Sequence, residues 1–272
     1  NYFGGVKDSL NSTPRTYIGI QPYYSFYNPE KRLRTNLGAR IVLENDSLSS
    51  KGFHIYPHVE LDYLLVKPVA LRTYAGITGN MQRNSVLSLV RENPFINPSL
   101  RFTNTNKTIA FYAGLTSTLK KYFTVKLEGG YENYQNQYFY VNSGIDQSKF
   151  DLAIDSNNVT RVYFDADIKY QKKKVVSGAG IELNSWGVSS LEKPYHRPSI
   201  ISELYILYKL NRKLSLGMRT EMKGGIKVYD VENSQNKTLP FIADLNLNAV
   251  YKHNDKMSFW LDTNNLLFKE YQ

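Results

Sequence analysis

The stretch Arg161-Val162-Tyr163-Phe164-Asp165-Ala166-Asp167-Ile168-Lys169 decides how this chain reads. Side chains alternate sides along an extended backbone, so Val162, Phe164, Ala166 and Ile168 share one face. Arg161, Asp165, Asp167 and Lys169 share the other. The same period of two extends in both directions. Ile18, Ile20, Tyr24 and Phe26 oppose Gly19, Gln21, Tyr23 and Ser25. Leu37, Ala39, Ile41 and Leu43 oppose Asn36, Gly38, Arg40 and Glu44. Val59, Leu61, Tyr63 and Leu65 oppose His58, Glu60, Asp62 and Leu64, and Val175, Ala179, Ile181 and Leu183 oppose Gly178, Gly180, Glu182 and Asn184. Further runs lie at 71–82, 109–115, 123–127, 200–208, 214–222, 241–251 and 257–263. Together they predict about 12 strands, many of about 10–14 residues, longer than the roughly 5–6 typical of soluble sheets and long enough to cross a bilayer at a tilt.

Connections alternate as strictly as side chains do. Tight turns fall near Asn28–Lys31, Lys67-Pro68, Lys120-Lys121, Gln171–Lys173, Asn211-Arg212 and His253–Asp255. Long links run over 45–52, 84–106, 135–158, 187–198 and 229–238, and Ser85–Arg91 inside one of them fits a short helix. Short turns at one end and long loops at the other are the pattern of an outer-membrane barrel. The expected fold is therefore all-β: a transmembrane, antiparallel up-and-down barrel with short periplasmic turns and long extracellular loops, occupying 1–272 as one unit. A soluble β-protein is the rival, in which the aliphatic faces meet each other. Pro22 and Pro57 fall inside expected strands and point to bulges or strand ends. With residues 1–16 on the long-loop side, the first strand descends and the twelfth ascends, so at least one strand is expected to be missing at each end.

Composition agrees. Apolar residues make up 42% of the 272, and mean hydropathy is −0.43, as expected where lipid-facing and lumen-facing residues cancel. Aromatics reach 14%, with 22 tyrosines, which suit both strands and headgroup boundaries. The absence of cysteine excludes thiol catalysis, thiolate metal sites and disulfides. The lysines and arginines behind the net charge of +10 are spread thinly, many of them at turns such as Lys31-Arg32, Lys120-Lys121, Lys172-Lys173-Lys174 and Arg212-Lys213. A nucleic-acid partner is not expected from that spread. An anionic membrane surface tolerates such a charge.

The segment Leu261-Asp262-Thr263-Asn264-Asn265-Leu266-Leu267-Phe268-Lys269-Glu270-Tyr271 resembles the penultimate strand and loop of TonB-dependent outer-membrane receptors, whose ends carry an Asn-Leu-Leu-x-x-x-Tyr pattern. Asp244–Tyr251 and Lys256–Trp260 resemble one of their late hairpins. The resemblance implies ligand uptake across a Gram-negative outer membrane, lipid and lipopolysaccharide contacts, and no cofactor. Such receptors also carry an N-terminal plug, a TonB-contacting box and a closing aromatic strand, none of which is among these residues. The alternative is a plugless barrel serving as a structural subunit of a larger outer-membrane complex with other envelope proteins.

Candidate lumen-facing ligand contacts follow from the polar parity: Arg40, His58, Glu60, Asp62, Arg72, Arg161, Asp165, Asp167, Glu182, Arg219 and Glu221. His58, Glu60 and Asp62 share a face at i, i+2, i+4, open to two readings: a ligand or acid/base set, or a polar wall paired with Arg40 or Arg72. Asp165 and Asp167 are flanked by Arg161 and Lys169 and expected to pair with them. No catalytic residue and no metal site is assigned, and the chain is not expected to be an enzyme. The Asn- and Tyr-rich Tyr131–Tyr140 suits either sugar or protein recognition or an aromatic girdle.

Overall fold

The alternation is what lets each strand pair on both edges while its two faces meet different solvents. A computed structural model describes residues 16–267 apart from 47–51, 98, 99, 145, 147, 231, 232 and 234. The first wall strands are β1 (Thr16–Ile20), β2 (Tyr23–Asn28), β3 (Leu33–Asn45), β4 (Phe53–Val66) and β5 (Leu71–Gln82). Helix α1 (Val86–Glu92) follows, then β6 (Thr105–Leu119), β7 (Phe123–Gln135), β8 (Gln137–Asn142), β9 (Phe150–Asp155), β10 (Val159–Lys172) and β11 (Val175–Gly187). The chain continues through β12 (Ile200–Lys209), β13 (Leu214–Gly224), β14 (Lys227–Asp230), β15 (Gln235–Thr238), β16 (Ile242–Lys252) and β17 (Ser258–Thr263).

A 13-stranded antiparallel sheet runs β1-β3-β4-β5-β6-β7-β10-β11-β12-β13-β16-β17, with β2 also on β3. β1 pairs with the far half of β3 and β2 with the near half, so they are two pieces of one wall strand broken at Pro22. Among the described residues the wall therefore counts 12 strands. Among the described residues, β1 with β2 and β17 have no outer neighbour, and the sheet is open. Pro57 stays inside β4 at the point where the β4–β5 ladder stops, at His58↔Thr78, so its missing N–H removes no bond from that ladder.

Register carries the parity across the whole wall. On one face Leu61 meets Ala75, Ala75 meets Ala113, Ala113 meets Gly129 and Gly129 meets Phe164. Among the described residues that face has no protein core against it: Leu61, Phe111, Phe164, Ile181, Leu204 and Met218 are all exposed. Rows of exposed aliphatic and aromatic side chains at this length have one stable solvent, the lipid bilayer. No helix among the described residues is long and apolar enough to cross a membrane.

The fold's tight spots lie where β-strand backbones crowd. A Cβ on Gly38 would meet the Pro22 carbonyl oxygen and lie 2.7 Å from Tyr23 Cβ, both fixed by the break between β1 and β2. Gly38→Ala is expected to cost about 1–3 kcal/mol, the usual penalty for overpacking. Gly129→Ala, whose new atom would be 3.7 Å from its nearest neighbour, is expected to be close to neutral. Urea unfolding of the lipid-reconstituted protein compares the two.

Short turns are built with basic residues even where the backbone resists. Lys120 (φ 47°), Lys121 (φ 62°), Lys173 (φ 40°) and Arg32 (φ 53°) occupy the left-handed region. Glycine or asparagine adopts that region more easily, and another residue there costs about 1–3 kcal/mol. Beyond the four clusters visible in sequence, Lys67, Lys209, Lys252 and Lys256 also sit at these turns.

Candidate functional site

All eleven candidate residues lie on the polar face, as register shows: Arg161↔Glu132, Asp165↔Glu182, Asp167↔Lys126, Glu221↔Glu203 and Glu60↔Asn36 are same-face neighbours. Most are engaged with each other. Arg161 donates to Glu132 at 2.9 Å, to Glu182 at 2.6 Å and to Asn184 at 2.7 Å. Arg72 pairs with Asp62 at 2.6 Å, one of the expected cross-strand pairs. Arg219 lies 3.2 Å from Glu203 and 3.0 Å from Glu221. His58 Nε2 is 4.0 Å from Glu60, which also accepts from Asn36 at 3.0 Å.

One pairing differs from expectation. Arg161 and Lys169 do not neutralise Asp165; Lys126 of β7 does, at 3.8 Å. Residues four apart on a strand are roughly 13 Å apart, whereas cross-strand neighbours on one face are within about 5.5 Å. Arg40 and Asp167 share the face without an ion pair among the described residues. No group of three or more potential metal ligands occurs among them.

Sequence reasoning missed the tyrosines that knit this face. Tyr74 from β5 and Tyr163 from β10 both donate to Glu128 of β7, at 2.8 and 3.0 Å, and Lys126 reaches it at 3.0 Å. Tyr112 donates to Glu60 at 3.3 Å. Each ring crosses a glycine on the next strand: Tyr112 over Gly76, Tyr74 over Gly114, Tyr163 over Gly130, Tyr205 over Gly178. The signal was present in the sequence as small residues on the polar parity beside tyrosines, visible only once register is known.

At the long-loop end the links fold onto one another. α1 has the anticipated place and begins with a capping box between Ser85 and Ser88. β8 and β9 form a hairpin inside the 135–158 link, and β14 and β15 a second one near 229–238; neither was anticipated. Leu89, Ile96, Tyr138 and Tyr140 make one buried cluster, and Tyr134, Phe139, Val159 and Tyr195 another. Within Tyr131–Tyr140, Tyr134, Tyr138, Phe139 and Tyr140 are thus cap core, while Tyr131 stays exposed on β7. Asp155, fully buried, accepts from the Ser189 and Ser190 amides at 2.7 and 2.9 Å and from the Ser190 hydroxyl at 2.9 Å. Burial alone would raise its carboxyl; these donors hold it below the usual range.

Arg197 joins the cap to the wall. It pairs with Glu92 at 3.1 Å, donates to the Tyr138 carbonyl at 3.2 Å and stacks over the Tyr138 ring at 5.2 Å. Trp186 stands between two guanidiniums, 5.6 Å from Arg161 and 6.0 Å from Arg197. Glu92, Tyr134, Tyr138, Arg161, Trp186 and Arg197 line a cavity of about 290 Å³ under the cap. Burial, and the Tyr138 bond to Glu92, push that phenol up to about 12, so it remains a donor at neutral pH. No local pattern could place Arg197 against a helix 105 residues earlier in the chain.

The neighbouring His196 packs half-buried against Phe150, with ring centroids 5.0 Å apart, and its shielded Nε2 has no hydrogen-bond partner among the described residues. Burial, then repulsion from Arg197, lowers its imidazole to about 4. An unfolded cap takes up a proton near pH 6.5 that the folded cap refuses. Cap stability is therefore expected to fall as pH drops from about 6.5 to 4, and Asp155 adds to the loss only below about pH 4. Hydrogen exchange of residues 188–199 across that range should show the opening, and His196→Asn, suited to its φ of 56°, should flatten it.

Solved structures identify the wall. The ferripyoverdine receptor of the outer membrane of Pseudomonas aeruginosa, bound to ferripyoverdine, matches with a TM-score of 0.64 and 17% identity over 94% of this chain and 35% of that one. The copper transporter OprC matches at 0.63 and 13% identity over 95% of this chain and 43% of that one. The chain has the barrel fold of TonB-dependent outer-membrane receptors. The ferric-catecholate import receptor Fiu from K12 E. coli gives 0.65 at 10% identity, over 94% of this chain and 41% of Fiu. This chain spans 35–43% of the length of these receptor barrels. No family model and no curated protein matches it by sequence. In the receptor-like barrel, Asn265, Leu266 and Leu267 of the C-terminal motif follow β17: Asn265 N–H donates to Asp244 at 3.0 Å and Leu266 N–H to the Leu245 carbonyl at 3.0 Å. Tyr271 of that motif and residues 1–15 of the expected 1–16 loop lie outside the described residues, and Thr16 opens β1.

Proposed function

We propose that this chain forms wall and outer mouth of a barrel that takes up a ligand across a Gram-negative outer membrane. The observation carrying this reading is the cap: long loops fold into a packed roof over a cavity lined by two arginines, three aromatic rings and two carboxylates. A barrel used only as scaffold has no need of a shaped chamber at its mouth. Its membrane surroundings would be phospholipid around the wall and lipopolysaccharide near the long loops. The lumen-facing Arg40, His58, Glu60, Asp62, Arg72, Arg161, Asp165, Asp167, Glu182, Arg219 and Glu221 would then line the path below the cavity. The match to transporters rather than hydrolases supports a non-enzymatic role.

The second reading, a plugless structural subunit, draws on the same wall: an ion-paired polar face leaves few groups free to greet a ligand. A chromosomal Arg197→Ala exchange, assayed for accumulation of labelled ferric siderophores, copper and oligosaccharides, separates the two. Uptake predicts a several-fold loss for one of these ligand classes. Unchanged accumulation of all of them in a deletion strain, with the protein recovered bound to other envelope proteins, would replace uptake by the structural role.

A further inference from the structure

The net charge of the protein resides almost entirely at one end. The six short turns, counted with one flanking residue on each side, hold thirteen lysines and arginines against two acids, Glu30 and Asp255. The five long links, taken from the end of one wall strand to the start of the next, together hold nine basic residues against eight acidic ones. Three adjacent turns, β6–β7, β10–β11 and β12–β13, carry eight of the thirteen and no acid.

These charges have no acidic partner among the described residues, although Lys174 Nζ donates to the Leu210 carbonyl at 3.1 Å. Among the described residues none of the thirteen forms an ion pair, and all but the half-buried Arg32 are exposed. Lys172 lies 4.9 Å over the Tyr122 ring, and the Gln171 N–H donates to the Tyr122 carbonyl at 2.8 Å, so two lysine-rich turns are tied side by side. Lys120, Lys121 and Lys173 hold left-handed backbone positions that asparagine or glycine would fill with less strain. Turn geometry does not explain lysine there.

The level in the membrane is marked independently. Within a few residues of these turns the lipid-facing parity carries Phe26, Tyr63, Phe123, Tyr208, Tyr251 and Phe259, all exposed. Such an aromatic girdle sits at the headgroup boundary, and lysine stems beyond it extend their ammonium groups into the phosphate layer.

We propose that the short-turn rim is a binding surface for anionic phospholipid headgroups of the periplasm-facing leaflet, centred on Lys120, Lys121, Lys172, Lys173 and Lys174. Clustered cations without acidic partners at the edge of an apolar wall recognise phosphate in this way. The inference rests on the barrel fold and its lipid-facing girdle, and stands whether or not the barrel transports a ligand.

Native mass spectrometry of the protein in uncharged detergent tests it, with phosphatidylglycerol and phosphatidylethanolamine of equal chain length supplied together. The wild type should retain phosphatidylglycerol several-fold over phosphatidylethanolamine. The variant Lys120→Asn, Lys121→Gly, Lys172→Gln, Lys173→Asn, Lys174→Gln should bring the two close to parity, its turn substitutions chosen to suit the left-handed backbone so that folding is kept. Lys227→Gln at the opposite end should leave the preference intact. Equal retention of both lipids by the wild type, or a preference that survives in the rim variant, overturns the proposal. Lysine-dependent binding of soluble polyglutamate without any phosphatidylglycerol preference also overturns it, and would assign the rim to an acidic periplasmic polypeptide.

Discussion

Arg161→Ala is expected to destabilise the barrel by about 3–5 kcal/mol, the cost of leaving a buried charge without its partner, with the lower figure applying where water reaches the lumen. The guanidinium links three strands: Glu132 on β7, its own β10, and Glu182 with Asn184 on β11. It also lies 4.7 Å over the Tyr163 ring and beneath Trp186. Glu132, whose side chain is only 9% exposed, would be left with Lys107 at 3.0 Å as its remaining ion-pair partner. Arg161→Met combined with Glu132→Gln removes the stranded charge, so the pair is expected to cost less than the two single changes added together. A double-mutant cycle from urea titrations in lipid vesicles measures that coupling. Costs that simply add would show that the two groups do not act as a unit.

Lysine on the lipid face should be penalised by depth. Leu61→Lys is expected to cost about 2–4 kcal/mol near the bilayer midplane, and Leu65→Lys, close to the short-turn rim, about 0–1 kcal/mol. Both side chains are exposed on the same parity of β4, at 43% and 41%, so a difference between them reports depth rather than packing. Ile41, Phe111 and Ile181 lie on the same outward face as Leu61. Equal tolerance of lysine at Leu61 and Leu65 would remove the bilayer from the account.

The wall was legible in the sequence because its two faces meet different solvents, and that difference writes a period of two into every crossing. From Ile18 to Thr263 the alternation located each wall strand, and the lysine-rich turns separated them. Parity also placed all eleven candidate residues on the polar face. What it could not supply was register: Arg161 reads along its strand toward Asp165, yet its partners are Glu132 and Glu182 on neighbouring strands. The cap was illegible for a related reason. Tyr138-Phe139-Tyr140 is buried on both sides, by α1 and by the 188–199 link, so it shows no alternation even though it forms a strand. Arg197 and Glu92 meet through tertiary folding of two loops, which leaves no local pattern at either end. The break at Pro22 was visible as a conflict between proline and strand; its accommodation depends on Gly38 across the ladder.

The chain's lack of cysteine makes the most direct test of the membrane barrel available without background. Single cysteines at positions 161–168, nitroxide-labelled in the lipid-reconstituted protein, should alternate. Labels at Val162, Phe164, Ala166 and Ile168 should collide mainly with oxygen dissolved in lipid, and those at Arg161, Tyr163, Asp165 and Asp167 mainly with a water-soluble nickel chelate. Equal nickel access at both sets, or protection of the outward set from both reagents, would contradict a strand wall set between lipid and a watery lumen.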